Sequence, residues 1–470
     1  MNYTKFSSKM ETMLLSDTIA AIATGSLISA IGIIRISGEK AIDTAGKIFR
    51  EKKDIKLKDA KSGRMYYGEL FDDKNELIDL CLCMISRAPH SYTGEDTVEF
   101  HCHGSPVVLS VVMQTLFSHG IRQAGAGEFT KRAFLNGRLD LTQAEAVIDL
   151  IEAETPLGAK NAVGQLHGAV YAKMESIYNS LIDIMAHFHA VLDYPDEDID
   201  EFKIQNYLTT LRNIETELDK MLKTYERGKI LNAGIKTAIV GRTNTGKSSL
   251  LNALLGYERA IVTETHGTTR DTIEEKVLIG NVLLRLIDTA GLRKTDDTIE
   301  ALGIERTREA IDKAGLIIVV LDGSGPLTKE DYFVLESIPS NIPVIAVINK
   351  SDLPTVLEPT ELAKFGFKYC RISALMEKGF DLLDEQIQKM FPDSGKSPSG
   401  EIITNLRQAE SITAAAGSVR LAAEALTAAV TPDAILTDIE AALLAIGEVT
   451  GKTVKEDIVS RIFERFCVGK

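Results

Sequence analysis

The sequence predicts a multidomain chain in which a doubly wound, mostly parallel α/β unit is inserted into an all-α domain, behind an N-terminal α+β domain. Three observations predict it. The 470 residues exceed what one hydrophobic core organises, and at about 150 residues per domain they make about three. From Gly234 to Phe391, short apolar runs alternate with polar turns and helical segments, the pattern of a parallel sheet. On both sides of that block, at 139–233 and 401–470, apolar residues recur every three to four positions, so two helical halves are expected to pack together.

Residues 1–138 read as the N-terminal domain. Ala30 to Ile36, Leu77 to Ile85 and Thr97 to Cys102 have strand composition, and Pro106 to Leu116 fits a helix. From Leu139 the period becomes helical. Thr142 is expected to cap the following helix, with Glu145 completing a capping box. Long helices are expected near 157–192 and 201–228, broken at Pro195. Within 234–394 the runs Ile235 to Val240, Val282 to Ile287, Leu316 to Leu321 and Pro343 to Ile348 suit strands buried on both faces. Pro392 to Gly400 has linker composition, and residues 395–470 complete the helical domain.

Composition excludes several classes. With 53 Lys+Arg against 67 Asp+Glu, the net charge is −14, so the chain does not coat nucleic acid wholesale, although a local basic patch remains open. The nine basic residues from Lys40 to Arg64 are interspersed with acidic ones and read as a solvated face. No apolar run reaches a membrane span, since the nearest, Ile19 to Ile36, is broken by Thr24, Gly25, Ser26, Ser29 and Arg35. The five cysteines are scattered without paired C-x-x-C spacing, which predicts a reduced, cytoplasmic protein.

Gly241-Arg-Thr-Asn244-Thr245-Gly246-Lys247-Ser248-Ser249 follows an apolar strand and opens a helix, the context a phosphate-binding loop requires. Its glycines let backbone amides and a helix N-terminus face the negative charge. Lys247 is expected to reach the β- and γ-phosphates, and the Ser248 hydroxyl to ligate Mg²⁺. Asp288-Thr289-Ala290-Gly291 ends the second run, where a carboxylate can hold the Mg²⁺ shell and the Gly291 amide can sense the γ-phosphate. Asn349-Lys350-Ser351-Asp352 ends the fourth. The Asp352 carboxylate can accept from guanine N1–H and its 2-amino group, whereas adenine would leave that charge unpaired. Ser373-Ala374-Leu375 would close over the base. Thr268 and Thr269, in Gly267-Thr-Thr-Arg-Asp271, stand where the first switch belongs, and Thr269 is assigned the second Mg²⁺ hydroxyl. Four motifs in order, each at a strand's carboxyl end, predict a P-loop GTPase unit.

One absence is informative. Leu292 follows Gly291, where Ras-like enzymes carry the glutamine that positions water. Two other devices are open: a carboxylate such as Glu300 orienting the water, or a monovalent cation near Asn244 replacing an arginine finger.

Further motifs complete the picture. They are Gly32-Ile-Ile-Arg35-Ile-Ser-Gly38, Tyr92-Thr-Gly-Glu95-Asp96 with Glu99 and His103-Gly104, and Gly127-Glu-Phe-Thr-Lys-Arg-Ala-Phe-Leu-Asn-Gly-Arg138. Asp193-Tyr-Pro-Asp-Glu197 and Cys467-Val-Gly-Lys470 follow. With the nucleotide motifs, they make the chain resemble, over nearly its whole length, the tRNA-modification GTPases of the TrmE/MnmE type.

The resemblance implies an N-terminal domain that forms a homodimer and binds 5,10-methylene- or 5-formyl-tetrahydrofolate, with Arg35, Glu99, Arg138 and Lys470 at the matching positions. It implies K⁺ held by Asn244, Thr263, Thr265 and Thr268, promoting G-domain pairing and hydrolysis, with Glu300 orienting the water. It places Cys467 in an active-site tail, whereas a terminal Lys470 fits no prenylation box. The implied function is GTP-driven addition of an aminomethyl-type group at C5 of the wobble uridine of certain tRNAs, with a flavin-dependent partner that carries FAD. Two rivals are a ribosome-assembly GTPase, which usually carries a KH-type RNA module not found here, and a non-catalytic nucleotide-gated scaffold.

Overall fold

Side chains that alternate between buried and less buried along β-strands build the N-terminal sheet. The computed structural model describes residues 17–193, 201–256, 275–287, 308–391 and 400–469, except 26, 54, 280, 429 and 455. Contacts divide it into two units, Met1–Ile148 with Ile446–Lys470, and Asp149–Ala445.

The first unit holds strands β1 (Ile19–Ile22), β2 (Ser29–Ser37), β3 (Phe49–Glu51), β4 (Met65–Phe71), β5 (Leu77–Ser86), β6 (Thr97–Gly104) and β7 (Arg122–Gln123), in the order β3-β4-β5-β6-β2-β1-β7. Neighbours run antiparallel except β1 and β7. One face buries Ile34, Ile36, Cys83, Ile85, Val98 and Phe100 with the helices Ala41–Ile48 and Pro106–Ser118. The other face stays open: Ile31, Met65, Tyr67, Leu80 and Leu82 are all exposed. The apolar stretch Ile19 to Ile36 is thus two antiparallel strands, turned at Thr24 and Gly25. Helix Glu456–Phe463 packs on helix Glu128–Leu135, with Phe134 and Phe463 ring centroids 6.4 Å apart.

The second unit combines helices with a six-stranded sheet: β8 (Ile235–Val240), β9 (Glu275–Ile279), β10 (Val282–Ile287), β11 (Leu316–Asp322), β12 (Val344–Asn349) and β13 (Lys368–Arg371). The order is β13-β12-β11-β8-β10-β9, parallel except for β9 against β10. Alternate residues of β11 and β12 enter separate cores on the two faces, which is why these strands are apolar throughout. The phosphate loop, Asn349–Asp352 and Ser373–Leu375 each follow a parallel strand and so reach the carboxyl edge, where doubly wound sheets bind ligands. Helix Leu406–Thr427 packs along helix Glu201–Lys223, joining helical segments from both sides of the α/β block.

Some local expectations change. The cap of helix Leu141–Ile151 is Asp140, not Thr142. Its Oδ1 accepts from the amides of Thr142 (2.7 Å) and Gln143 (3.1 Å), while Gln143 Oε1 accepts from the Asp140 amide at 3.0 Å. The capping box is therefore Asp140–Gln143, two positions earlier, because an ionised carboxylate is the stronger acceptor for first-turn amides. The helix expected near 157–192 is two, Pro156–Leu166 and Ala169–Asp193, separated at Gly168 with φ +86°. Another break, at Thr224 with near-helical angles (φ −79°, ψ −15°), divides Glu201–Lys223 from Tyr225–Ala233. Pro195 lies outside the described residues. Among them, no helix is long and apolar enough to cross a membrane.

Candidate nucleotide site and N-terminal pocket

Between β8 and helix Lys247–Gly256 the chain needs backbone angles that most residues avoid: φ is +145° at Gly241, +62° at Asn244 and +96° at Gly246. A Cβ at Gly246 would overlap Asn349 Nδ2, so this glycine is required twice, by conformation and by space. Lys247 Nζ donates to the carbonyls of Gly241 (2.8 Å) and Arg242 (2.6 Å), curling the loop around its own cation. Burial, and then the Arg242 charge, hold the Lys247 ammonium below the usual lysine pKa. An anion in the loop would relieve both. Thr245 is buried, with Oγ1 donating to the Arg242 carbonyl at 3.1 Å. Asn244 and Ser249 are exposed, and Ser248 is half-buried in the first helical turn.

The loops that end β12 and β13 converge on this one. Asn349 is buried. Its Nδ2 donates to the Thr245 carbonyl at 2.8 Å and its Oδ1 accepts from the Ala374 amide at 2.9 Å. Ser373 Oγ donates to Asp352 Oδ1 at 2.5 Å and accepts from the Met376 amide at 3.2 Å, which aims the exposed Asp352 carboxylate. Leu375, next in line, is exposed. Lys350, at φ +65°, donates through Nζ to Asp322 Oδ2 at 2.6 Å. The structure thus brings Asn244, Thr245, Gly246, Lys247, Ser248 and Ser249 together with Asn349, Lys350, Asp352, Ser373, Ala374 and Leu375. Thr263, Thr265, Thr268, Thr269, Asp288, Thr289, Ala290, Gly291 and Glu300 lie outside the described residues.

In the N-terminal unit, Arg35 and Glu99 are register partners on β2 and β6, and Arg35 Nε donates to Glu99 Oε1 at 2.7 Å. The guanidinium lies over the rings of Tyr92 (5.3 Å) and Phe129 (5.6 Å). Tyr92 Oη and Thr130 Oγ1 are 2.9 Å apart, so the Tyr92–Asp96 loop and the Gly127–Arg138 segment meet beside Arg35. Arg138 is exposed, its stem against the Tyr92 loop: a Cβ on Gly94 would stand 3.2 Å from Arg138 Cγ. His101 Nε2, 3.5 Å from Glu99 Oε2, is buried without a hydrogen-bond partner. His103, by contrast, is exposed and bonded through Nδ1 to Asp79 at 2.7 Å.

The tail reaches the start of the same Gly127–Arg138 segment. The Gly127 amide donates to the Cys467 carbonyl at 3.3 Å, and Ala126 bridges Val468. Gly127, at φ +61°, leaves no room for a side chain: a Cβ would stand 2.7 Å from the Phe463 carbonyl. Cys467 is exposed four residues beyond the helix that carries Phe463, and Lys470 lies outside the described residues.

Sequence reasoning missed what braces these loops. Arg132, 2% exposed, donates to Asp17 Oδ1 (2.5 Å), Glu128 Oε1 (3.0 Å) and both Glu95 oxygens (3.2 Å), while Ser37 Oγ donates to Glu95 Oε2 at 2.6 Å. Glu95, Glu128 and Arg132 were visible only as letters of two separate motifs. Their mutual pairing makes them structural.

A family model of the GTP-binding protein TrmE N-terminus matches residues 18–138, and one of the MnmE helical domain matches residues 141–467. The tRNA modification GTPase MnmE of Alkaliphilus metalliredigens is 41% identical over 462 residues, covering 97% of this chain and all of that one. The chain belongs to the MnmE family. Other MnmE relatives agree: that of Thermoanaerobacter pseudethanolicus is 42% identical over 97% of this chain and 99% of its own length. That of Clostridioides difficile is 40% identical, over 97% of this chain and 100% of its own. The MnmE helical match spans the α/β block, in keeping with a G domain inserted within helical sequence.

Proposed function

We propose that this chain hydrolyses GTP at the carboxyl edge of β8, β11 and β12, and uses that cycle in tRNA modification. The observation that carries the reading is Asn349, whose side chain ties the phosphate loop at Thr245 to the base-closing loop at Ala374. Such a tie makes phosphate and base recognition a single event.

The donor set suits hard cations, being hydroxyl, carboxylate and amide oxygens. Ser248 with Thr269 would hold Mg²⁺, and Asn244 with Thr263, Thr265 and Thr268 would hold K⁺. Bound there, they supply neutralisation of phosphate charge. Glu300 would orient the attacking water.

The Arg35 pocket fits a reduced folate. Glu99 offers acceptors for a pterin donor edge, His101 Nε2 is an unsatisfied polar atom beside it, and Arg35, Arg138 and Lys470 offer cations for a glutamate tail. When bound, 5,10-methylene- or 5-formyl-tetrahydrofolate supplies the one-carbon unit. A flavin-dependent partner protein carrying FAD completes the addition of a (carboxymethyl)aminomethyl group at C5 of the wobble uridine, in the cytoplasm. The open apolar face formed by Ile31, Met65, Tyr67, Leu80 and Leu82 supports a homodimer through the N-terminal sheet. Arg35 and Glu99 stand on that face, two ladder rows from Ile33 and His101.

The test compares GTP and ATP turnover by purified full-length protein. Hydrolysis confined to GTP supports the reading, and equal turnover of both overturns it. Nucleoside mass spectrometry of tRNA from cells lacking the protein reads the modification itself.

A further inference from the structure

Asp322 belongs to none of the four nucleotide motifs, yet it stands between two of them. Strand β11 separates β8, which leads into the phosphate loop, from β12, which leads into the base-reading loop, and Asp322 pairs in register with Asn349. Both of its oxygens are engaged. Oδ2 accepts from Lys350 Nζ at 2.6 Å, and Oδ1 accepts from the Ser324 amide (3.0 Å) and hydroxyl (2.6 Å). The Arg242 guanidinium approaches Oδ2 at 3.8 Å, while its Nε donates to Asp331 Oδ2 at 3.2 Å. Asp331 is buried and anchored in turn, since its Oδ2 also accepts from the Thr328 amide (2.9 Å) and hydroxyl (2.8 Å) in the capping box of helix Lys329–Ser337.

We propose that Asp322 is a positioning residue for guanine-nucleotide binding: it fixes Lys350 beside the guanine-reading Asp352 and, together with Asp331, holds Arg242 in the phosphate loop. The inference rests on the GTP reading above and adds a residue to it. A lysine on a flexible four-carbon stem would otherwise have to be ordered when nucleotide binds. Here the salt bridge orders it beforehand, and the left-handed backbone at Lys350 turns the residue out of β12 at the point where Asp322 is reached. Arg242 contributes its carbonyl to Lys247, so a displaced Arg242 would disturb the phosphate side of the same site. Burial alone would raise the Asp322 carboxyl; hydrogen bonds from Lys350 and Ser324 outweigh it and keep the group ionised.

The experiment measures affinity of the full-length protein for a fluorescent GDP, with ADP as competitor, for wild type, Asp322→Asn, Asp322→Glu, Lys350→Ala and the Asp322→Asn/Lys350→Ala double variant. Asp322→Asn should weaken GDP binding about tenfold, with kcat at saturating GTP changed less than about twofold. Asp322→Glu should recover most of the loss. In the Lys350→Ala background, Asp322→Asn should cost clearly less than in the wild type, because the part of its effect that runs through that lysine is already lost. An equal penalty in both backgrounds would reduce Asp322 to general support of the fold and overturn the proposal. So would wild-type affinity in Asp322→Asn. A wild-type protein that ADP competes with as well as GDP would overturn the GTP reading beneath it, an outcome the variants do not produce.

Discussion

The side-chain amide of Asn349 spans 2.8 Å to the Thr245 carbonyl, so the residue that begins the base-reading motif also closes the phosphate loop. Gly246 has no side chain where Asn349 passes, and the two motifs therefore interlock. Asn349→Ala leaves the Thr245 carbonyl and the Ala374 amide without this partner inside a buried site, a cost of about 1–3 kcal/mol. Affinity for both GDP and GTP should fall by about tenfold or more, as read by equilibrium fluorescence titration.

Asp352 is held by Ser373 Oγ and is exposed, as the proposed reading of guanine requires. Asp352→Asn should replace an acceptor pair by a donor and an acceptor, and so move preference from GTP toward XTP. Competition between the two triphosphates measures it, and an unchanged preference would remove Asp352 from base recognition.

Asn244 stands exposed on the phosphate loop at φ +62°, with its side-chain oxygen available to a cation. Hydrolysis should be much faster in K⁺ than in Na⁺ at equal ionic strength, and Asn244→Ala should erase the difference. Steady-state phosphate release in the two salts decides it.

Arg132 is the counter-ion of Asp17, Glu95 and Glu128 at once. Arg132→Met should cost the N-terminal unit about 3–5 kcal/mol, since three carboxylates lose a buried partner. Acid should act in the same direction. Burial pushes Asp17 and Glu128 upward, but hydrogen bonds from Arg122 and Arg132 outweigh it and leave both below their ordinary values of 3.8 and 4.5. Groups with depressed folded-state pKa stabilise above the unfolded value and lose that stabilisation as pH falls through the folded one. Denaturant melts should therefore show the wild-type unit weakening below about pH 4.5, and Arg132→Met weakening less over the same interval.

Cys467 is exposed, while its backbone is pinned by the Gly127 amide near the Phe129 wall of the Arg35 pocket. Cys467→Ser keeps the backbone contact and removes only the thiol. It should abolish tRNA modification while sparing GTP hydrolysis, with nucleoside mass spectrometry and phosphate release as the paired readouts.

The nucleotide half of the molecule was legible because its signals are local. Lys247, Asn349 and Asp352 each follow an apolar run long enough to reveal itself as a strand, and parallel topology alone carries them to one edge. What escaped is pairing across long sequence distances. Nothing near Arg132 announces Asp17 or Glu95, and nothing near Asp322 announces Lys350. The cap at Asp140 escaped for another reason: Thr142 also offers a capping pattern, and the stronger acceptor two positions earlier takes the first-turn amides.

Ala126 finds its bridge partner at Val468, 342 positions later (468 − 126). At about 5–20 residues made per second, a ribosome needs roughly 17–70 s to supply that partner. During that interval a nascent chain can pair the strands bearing Arg35 and Glu99, which lie 64 positions apart, yet cannot brace the turn beside Phe129. Closure of this seam is therefore a late event in biosynthesis, and the first domain to emerge is among the last to be finished.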